Sequence, residues 1–588
     1  MHARRRLRHA AVHTAVCASV ASAVIVLPAT QASAAPTAQV CYAAAPANGS
    51  TGPSFRNRTS LLPADALRGR YGHSAGWGDA NGDGLLDLFL GTYAAYPPLM
   101  ANPAWTDKTH DFAPDRLLLN TGNGFRVDTT FPQMRGWTSG VAFTDLDRDG
   151  DDDLVLSRYA EKAFDRVPAG NTVVLRNDGG RFTDTAALPP GPGGRLGGRS
   201  VGVLDYDADG FLDLLLTQDR YSGGSSRLLR NPGALDRPWS DVTAAAGLPA
   251  NLEGFSSTTT DLTGDGRPDL FVAGSDRLFV GLSGGRFTEG TAGVPRGPRA
   301  VNIGPGGVVN DFYTGASTAD MNGDGRLDLL LGAHYISVET HGNAVPPVRL
   351  LLNRGNSSAG LPRFTDATAD ARLPTAVRSK SATVHAQDVD NDGILDIVAG
   401  VSSGTSLAAA VPTVFRGTGA RSSSGTPLFA SPPAIAAVKG PTTPDAAMAW
   451  VAAPWADFDR DGRLDLFTDY FFNYAGVRLL SGGSATRSWL GVGLDSRAFT
   501  APGARVEVYV AGGLGVAGKL LGRRTITATD GYASAVPTEA RFGFGSRTAR
   551  TVDVRVVPPP GSPTGVTDVR GVPTDGMVML GGATGGPC

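Results

Sequence analysis

The stretch Asp79-Ala80-Asn81-Gly82-Asp83-Gly84-Leu85-Leu86-Asp87 decides the fold. Its pattern, Asp-x-[Asp/Asn/Thr]-x-Asp-Gly-x-x-Asp, returns from Asp145, Asp205, Asp261, Asp320, Asp388 and Asp457, making seven copies whose starts lie 56 to 69 residues apart. The spacing has a chemical reason. Side-chain oxygens at positions 1, 3 and 5 of a tight loop converge on one point, position 7 adds a backbone carbonyl, and glycine at position 6 permits the sharp turn. Oxygen-only donors with a flexible count of six or more favour calcium over zinc or copper. A metal-free Asp-Gly turn explains a lone copy. Repeated seven times it fails, because the gathered carboxylates repel one another unless a cation joins them.

The expected ligands are Asp79, Asn81, Asp83, Leu85 and Asp87 in the first copy, and Asp145, Asp147, Asp149, Asp151 and Asp153 in the second. The third offers Asp205, Asp207, Asp209, Phe211 and Asp213, and the fourth Asp261, Thr263, Asp265, Arg267 and Asp269. The fifth offers Asp320, Asn322, Asp324, Arg326 and Asp328, and the sixth Asp388, Asp390, Asp392, Ile394 and Asp396. The seventh offers Asp457, Asp459, Asp461, Arg463 and Asp465. Position 7 contributes only its carbonyl. Asn or Thr at position 3 removes a carboxylate from copies one, four and five, which predicts weaker binding there. Up to seven calcium ions are expected.

An EF-hand would continue as a helix with Glu at position 12, but each loop here runs into an apolar strand such as Leu212-Asp213-Leu214-Leu215-Leu216. A second strand follows, as in Arg116-Leu117-Leu118-Leu119-Asn120, and then one of the type Gly180-Arg181-Phe182-Thr183-Asp184. Short strands, Gly-rich turns and seven copies predict an all-β fold: a seven-bladed β-propeller with calcium-binding hairpin loops, followed by a small C-terminal β-domain. A β-solenoid is the alternative, but its repeats are shorter. The expected boundaries are a signal peptide at 1–34, an N-terminal segment at 35–70 that supplies a closing strand, the propeller at 71–486 and the β-domain at 487–588.

Composition agrees. Of 588 residues, 78 are Gly and 40 Pro, which excludes a long helical protein. There are 49 Asp against 6 Glu, and 25 of those Asp stand at positions 1, 3, 5 and 9 of the loops. The acidic bias is therefore mostly a repeated metal site. Arginines are scattered without clusters, so no nucleic-acid surface is expected. Arg4, Arg5, Arg6 and Arg8, an apolar stretch to Leu27 and Ala32-Ser33-Ala34 read as an export signal. No later run is long and apolar enough to cross a bilayer, so a secreted protein is expected. Cys41 and Cys588 then read as a disulfide in an oxidising compartment, with an intermolecular bridge or free thiols as the alternatives.

The loop followed by Leu-Asp-Leu, together with the Arg-Phe-Thr-Asp strand, resembles the FG-GAP or VCBS repeats of integrin α-subunit propellers over about Gly72 to Gly483. The resemblance implies that the calcium loop joins the first two strands of a blade, opposite the usual ligand face. Ser488-Trp489-Leu490, Pro502-Gly503-Ala504, Gly531-Tyr532-Ala533-Ser534 and Phe542-Gly543-Phe544-Gly545 are similar to the ASPIC/UnbV domain of the cartilage acidic protein-like family. Val557-Pro558-Pro559-Pro560-Gly561 departs from that family's Trp-Pro-x-Gly.

Two sharper motifs lack their context. Gly72-His73-Ser74-Ala75-Gly76 imitates a nucleophile elbow, yet the metal loop begins three residues later, where an elbow needs a helix. Gly513 to Lys519 imitates a phosphate loop, but Leu520 stands where Ser or Thr is required, so a Gly-rich hairpin is expected. No catalytic residue is assigned. Aromatic residues recur after the loop strand, and Tyr93, Tyr96, Trp105, Tyr159, Tyr221, Tyr335 and Tyr470 are candidate ligand-binding residues on the face opposite the calcium. The competing reading is that these tyrosines pack blades together. The expected function is a monomeric extracellular binding or adhesion module for a glycan, matrix or protein ligand. A carbohydrate-active enzyme of lyase or dehydratase type is the alternative, and it would gather His, Arg, Tyr or Lys at the central channel.

Overall fold

The computed structural model describes residues 38–43, 55–67, 72–92, 114–159, 171–191, 196–219, 225–295, 313–333, 346–375, 379–403, 411–430, 434–435, 450–470, 477–482, 487–546 and 550–581. The signal segment, Tyr93, Tyr96, Trp105, Tyr221, Tyr335 and Cys588 lie outside these residues, as does the side chain of Tyr470.

Each copy of the loop joins two antiparallel strands, and the sheet is completed outward. Gly72–Gly78 pairs with Asp87–Thr92, then Arg116–Asn120 and Phe125–Val127 follow. The same meander begins with Thr138–Thr144, Ser200–Leu204, Ser256–Thr260 and Tyr313–Ala319 in blades 2 to 5, and with Val384–Gln387 in blade 6. The second strand continues with at least two apolar residues after its aspartate in every blade. Asp213–Thr217, for example, is buried along its whole length, as a strand covered by a blade on either side must be.

The seventh sheet explains how the ring closes. Its inner strands Trp450–Ala452 and Trp455–Ala456, then Asp465–Tyr470 and Arg478–Gly482, come from the end of the repeat region, but its outermost strand is Phe55–Asn57, paired Phe55 to Gly482. The N-terminal segment thus supplies the closing strand. At the seam, buried Trp77 of blade 1 stacks on Phe458 of blade 7 with centroids 5.8 Å apart, and its indole N–H donates to Pro454 O at 3.2 Å. Among the described residues the ring comprises seven such sheets.

The C-terminal residues form two four-stranded sheets. One has the order Ala38–Ala43, Gly576–Leu580, Ser488–Leu494, Glu539–Gly545; the other has Leu520–Thr525, Arg505–Val510, Thr551–Val557, Thr567–Pro573. Val492, Val508, Phe542, Val554 and Val578 meet in their shared core. The N-terminal segment is therefore split, one strand serving this sandwich and one the propeller. Gly72–Gly76 lies wholly within a strand, and Gly513 to Lys519 links two strands of a hairpin.

Residues 527–536 leave the sandwich and enter the ring. Ser534 and Ala535 pair in parallel with Ala75 and Gly76 of blade 1. Thr529 Oγ1 donates to Val201 O of blade 3 at 3.1 Å, and Gly531 exchanges backbone hydrogen bonds with Ala316 of blade 5. Asp530 accepts from His385 Nδ1 of blade 6 at 2.9 Å, and Ser534 Oγ accepts from Ala453 N of blade 7 at 3.0 Å. A ten-residue segment that touches the inner strands of five blades fills the central channel. At its tip Tyr532, 4% exposed, meets His73 edge-on and donates to His73 Nε2 at 3.4 Å. Truncating so buried an aromatic costs about 3–5 kcal/mol. Tyr532→Ala is expected to lower the unfolding midpoint in a thermal melt, and an unchanged midpoint would mean that the channel segment carries no stability.

Candidate metal centres

One backbone geometry is repeated in all seven loops. The position 6 N–H donates to the position 1 carboxylate, as from Gly84 to Asp79 Oδ2 at 2.8 Å and from Gly462 to Asp457 Oδ2 at 3.0 Å. That glycine has positive φ in every copy, +91° at Gly210. Position 4 is also left-handed, even where it is Arg148, Ala208, Asn391 or Arg460. The position 7 N–H donates to the position 5 carboxylate, as from Phe211 to Asp209 Oδ1 at 3.0 Å. One oxygen of position 5 is thus spent on the turn.

Position 9 opens the second strand in every blade, as the sequence predicts. Its two oxygens are fixed by backbone donors from opposite sides. Asp213 Oδ2 accepts from Tyr206 N at 3.1 Å and Oδ1 from Asn231 N, on the third strand, at 2.8 Å. Equivalent pairs hold Asp87, Asp153, Asp269, Asp328, Asp396 and Asp465. The aspartate is therefore a hairpin lock as well as a candidate ligand.

In four blades the acids also converge. One carboxylate oxygen each from Asp145, Asp147 and Asp153 lie within 4.8 Å of one another, as do those of Asp205, Asp207 and Asp213, of Asp388, Asp390 and Asp396, and of Asp457, Asp459 and Asp465. Each group comprises positions 1, 3 and 9. These are the four copies with Asp at position 3; Asn81, Thr263 and Asn322 leave the other three loops with fewer charges. Two like charges about 4 Å apart repel by about 4 kcal/mol at an effective dielectric near 20. Burial pushes Asp153 up to about 9 and Asp87 and Asp328 up to about 8, and neighbouring loop carboxylates add to the shift against the backbone donors. Asp213, Asp396 and Asp465 are raised well above the usual range for the same first reason, burial. These clusters can bind metal ions. Asp147 Oδ1 and Asp207 Oδ1 are buried without a hydrogen-bond partner, open acceptors in an all-oxygen set that fits calcium.

The third strand carries a residue that the sequence reading treated only as a turn. Asn177 Nδ2 donates to Asp152 O of its own loop and to Ala80 O of the preceding blade's loop, both at 3.0 Å. Asn231 reaches Leu146 O at 2.8 Å, Asn353 reaches Leu262 O at 2.8 Å, and Asn120 closes the ring onto Phe458 O at 2.9 Å. The repeated Asn was the available signal, but its partner is a carbonyl, which no side chain announces.

The C-terminal sandwich lies over the acidic loops. Ser496 Oγ donates to Asp145 Oδ2 at 2.5 Å, and Arg541 Nη2 lies 3.2 Å from Asp457 Oδ2 while its guanidinium covers the Trp489 ring. Gly543 faces Asp388 and Asn391, Gly561 faces Ala208, and Trp489 faces Gly462, all too closely for a Cβ on the glycine. Of the candidate ligand-face residues, Tyr159 is described and is 3% exposed, stacked on Trp137 and under Arg199. Cys41 is disulfide-bonded.

A ring of blades with acidic hairpin loops defines an FG-GAP-type β-propeller. The FG-GAP-like repeat pattern matches residues 205–272 and 261–331, and the chain is similar to cartilage acidic proteins. Cartilage acidic protein 1 of Mus musculus is 26% identical over 491 residues, covering 71% of this chain and 70% of that protein. The Homo sapiens protein of that name is 26% identical over 493 residues, covering 71% and 68%. A looser likeness, 13% identical with a TM-score of 0.37, links 92% of this chain to 71% of a xyloglucanase from Xanthomonas campestris.

Removing the Asn231 amide leaves Leu146 O and Leu212 O buried and unpaired, which costs about 1–3 kcal/mol for each carbonyl. Asn231→Ala is expected to destabilise the protein in a denaturant melt, and Asn231→Asp more so, since it adds another carboxylate beside Asp213.

Proposed function

We propose that this is an exported, calcium-stabilised propeller acting as an extracellular binding or adhesion module. Calcium would be held by the side chains at positions 1, 3 and 9 and by the position 7 carbonyl. It would neutralise carboxylates that otherwise repel one another, and so rigidify the hairpin of each blade. Export is supported by the N-terminal sequence and by the disulfide at Cys41, which we assign to Cys588. Among the described residues no helix is long and apolar enough to cross a membrane.

The observation that carries the binding reading is the covering of the loop face by the sandwich and the filling of the channel by residues 527–536. The face left for a partner is the opposite one, where second strands end and third strands begin. The described residues beneath it, Trp137, Tyr159, Arg158 and Arg199, are buried and pack on one another, with Arg199 paired to Asp219 at 3.1 Å.

One observation favours the enzyme reading, namely that His73, Tyr159, Arg199 and Tyr532 gather at the channel. Their polar groups are spent on structure, however. Burial, then Arg199, hold the His73 pKa well below its usual value, and its Nδ1 donates to Ser139 O at 3.0 Å.

Two measurements test these readings. Free calcium at 100 times its dissociation constant adds about 2.7 kcal/mol for each occupied site. The thermal midpoint should therefore fall when a chelator removes it, and an unchanged midpoint after verified removal would sink the calcium role. A glycan and matrix-component array in calcium should give binding without chemical turnover, whereas turnover would establish the enzyme reading.

A further inference from the structure

The seven loops share one backbone but not one charge balance. In blades 2, 3 and 6, where position 3 is Asp, the residue just before the one whose backbone N–H donates to the position 9 aspartate is Arg176, Arg230 or Arg416. In blades 1, 4 and 5, where position 3 is Asn81, Thr263 or Asn322, the same place holds Leu119, Val280 or Leu352. Blade 7, with Asp459 at position 3, has Ser481 there, so the arginine accompanies the additional carboxylate in three of the four copies. Arg176 Nε lies 3.3 Å from Asp147 Oδ2, and Arg230 Nε 2.6 Å from Asp207 Oδ2. In both cases the other oxygen, Oδ1, is buried with neither a hydrogen bond nor a cation beside it; Asp390 Oδ1 of blade 6 also lacks a hydrogen bond but faces a second guanidinium.

Blade 6 begins in the same way, with Arg416 Nε 2.9 Å from Asp390 Oδ2. It differs at the other oxygen. Arg487, the described residue that leads into the first sandwich strand Ser488–Leu494, places Nη1 2.6 Å from Asp390 Oδ1, 3.0 Å from Asp390 O and 3.5 Å from Asp392 Oδ2. The Asp390 side chain is fully buried between the two guanidinium groups. Asp388, Asp390 and Asp396 are gathered as closely as the acids of blades 2 and 3, so carboxylate geometry does not distinguish this loop. The second arginine does. A divalent ion on Asp390 Oδ1 would have to displace Arg487 or stand against its like charge.

We propose that the blade 6 loop is an ionic latch and not a metal centre: Arg487 takes the cation's place on Asp390 and ties the C-terminal sandwich to the propeller. Gly545 N donates to Asn391 O at 2.8 Å in the same contact, so the latch has a backbone component beside its charges. The proposal rests on the reading that the open loops take calcium, and it reverses the order of affinities expected from carboxylate number alone. A four-Asp loop becomes the one that binds least.

The test counts calcium bound to the full chain by equilibrium dialysis. Asp207→Asn should weaken uptake at one site, and Asp390→Asn should leave both the count and the affinities unchanged. Arg487→Gln frees Asp390 Oδ1 as Asp147 and Asp207 are free, and should raise the count by one. Loss of one ion on Asp390→Asn overturns the latch. If the wild-type chain takes up no calcium, the calcium reading falls and hydrogen exchange decides the latch. Faster exchange at residues 391–394 in Arg487→Gln than in wild type supports it, and equal exchange overturns it.

Discussion

The constraint on which the rest depends is the burial of carboxylates side by side. Each blade folds around an aspartate whose two oxygens accept from the loop on one side and from the third strand on the other. That arrangement pins three strands with one side chain, and it brings position 9 close to positions 1 and 3. The same geometry that makes the hairpin rigid therefore creates a charge problem. Backbone N–H groups solve part of it, arginines part, and open oxygens such as those of Asp147 and Asp207 leave the remainder to a cation.

Neighbouring blades are joined at these same loops. The asparagine staples from Asn120, Asn177, Asn231 and Asn353 each reach the carbonyl at position 2 of the preceding loop, so a disturbance in one loop reaches two blades. The sandwich rests on the loops as well, and its channel segment grips five inner strands. The residues that make the C-terminal part recognisable are therefore contact residues. Trp489, Gly531, Tyr532, Gly543 and Gly561 all lie where the sandwich meets the ring. A Cβ at Gly531 would strike Thr383 and His385, and its φ of +70° suits only a glycine without strain.

Much of this was legible in the sequence because the repeat fixes it locally. Asp at position 9 followed by an apolar run marks the start of the second strand, and Gly at position 6 marks the turn. Phe55–Asn57 pairs with Arg478–Gly482 at the edge of the seventh sheet. What the sequence concealed is non-local. Ala38–Ala43 pairs with Gly576–Leu580, more than 500 positions away. The asparagine staples end on carbonyls that have no sequence signature. Some arginines that look scattered along the chain are matched to carboxylates across a hairpin, as Arg230 to Asp207, or between the sandwich and the ring, as Arg541 to Asp457. Gly531-Tyr532-Ala533-Ser534 was recognisable as a motif, yet its role as a channel filler exists only once the ring has closed.

The most direct measurement is a crystal structure of the calcium-loaded protein with anomalous scattering used to locate the ions. The account predicts an ion about 2.3–2.6 Å from Asp147 Oδ1 and another at the same distance from Asp207 Oδ1. Intact loops in which those two oxygens are bound to water alone would contradict it.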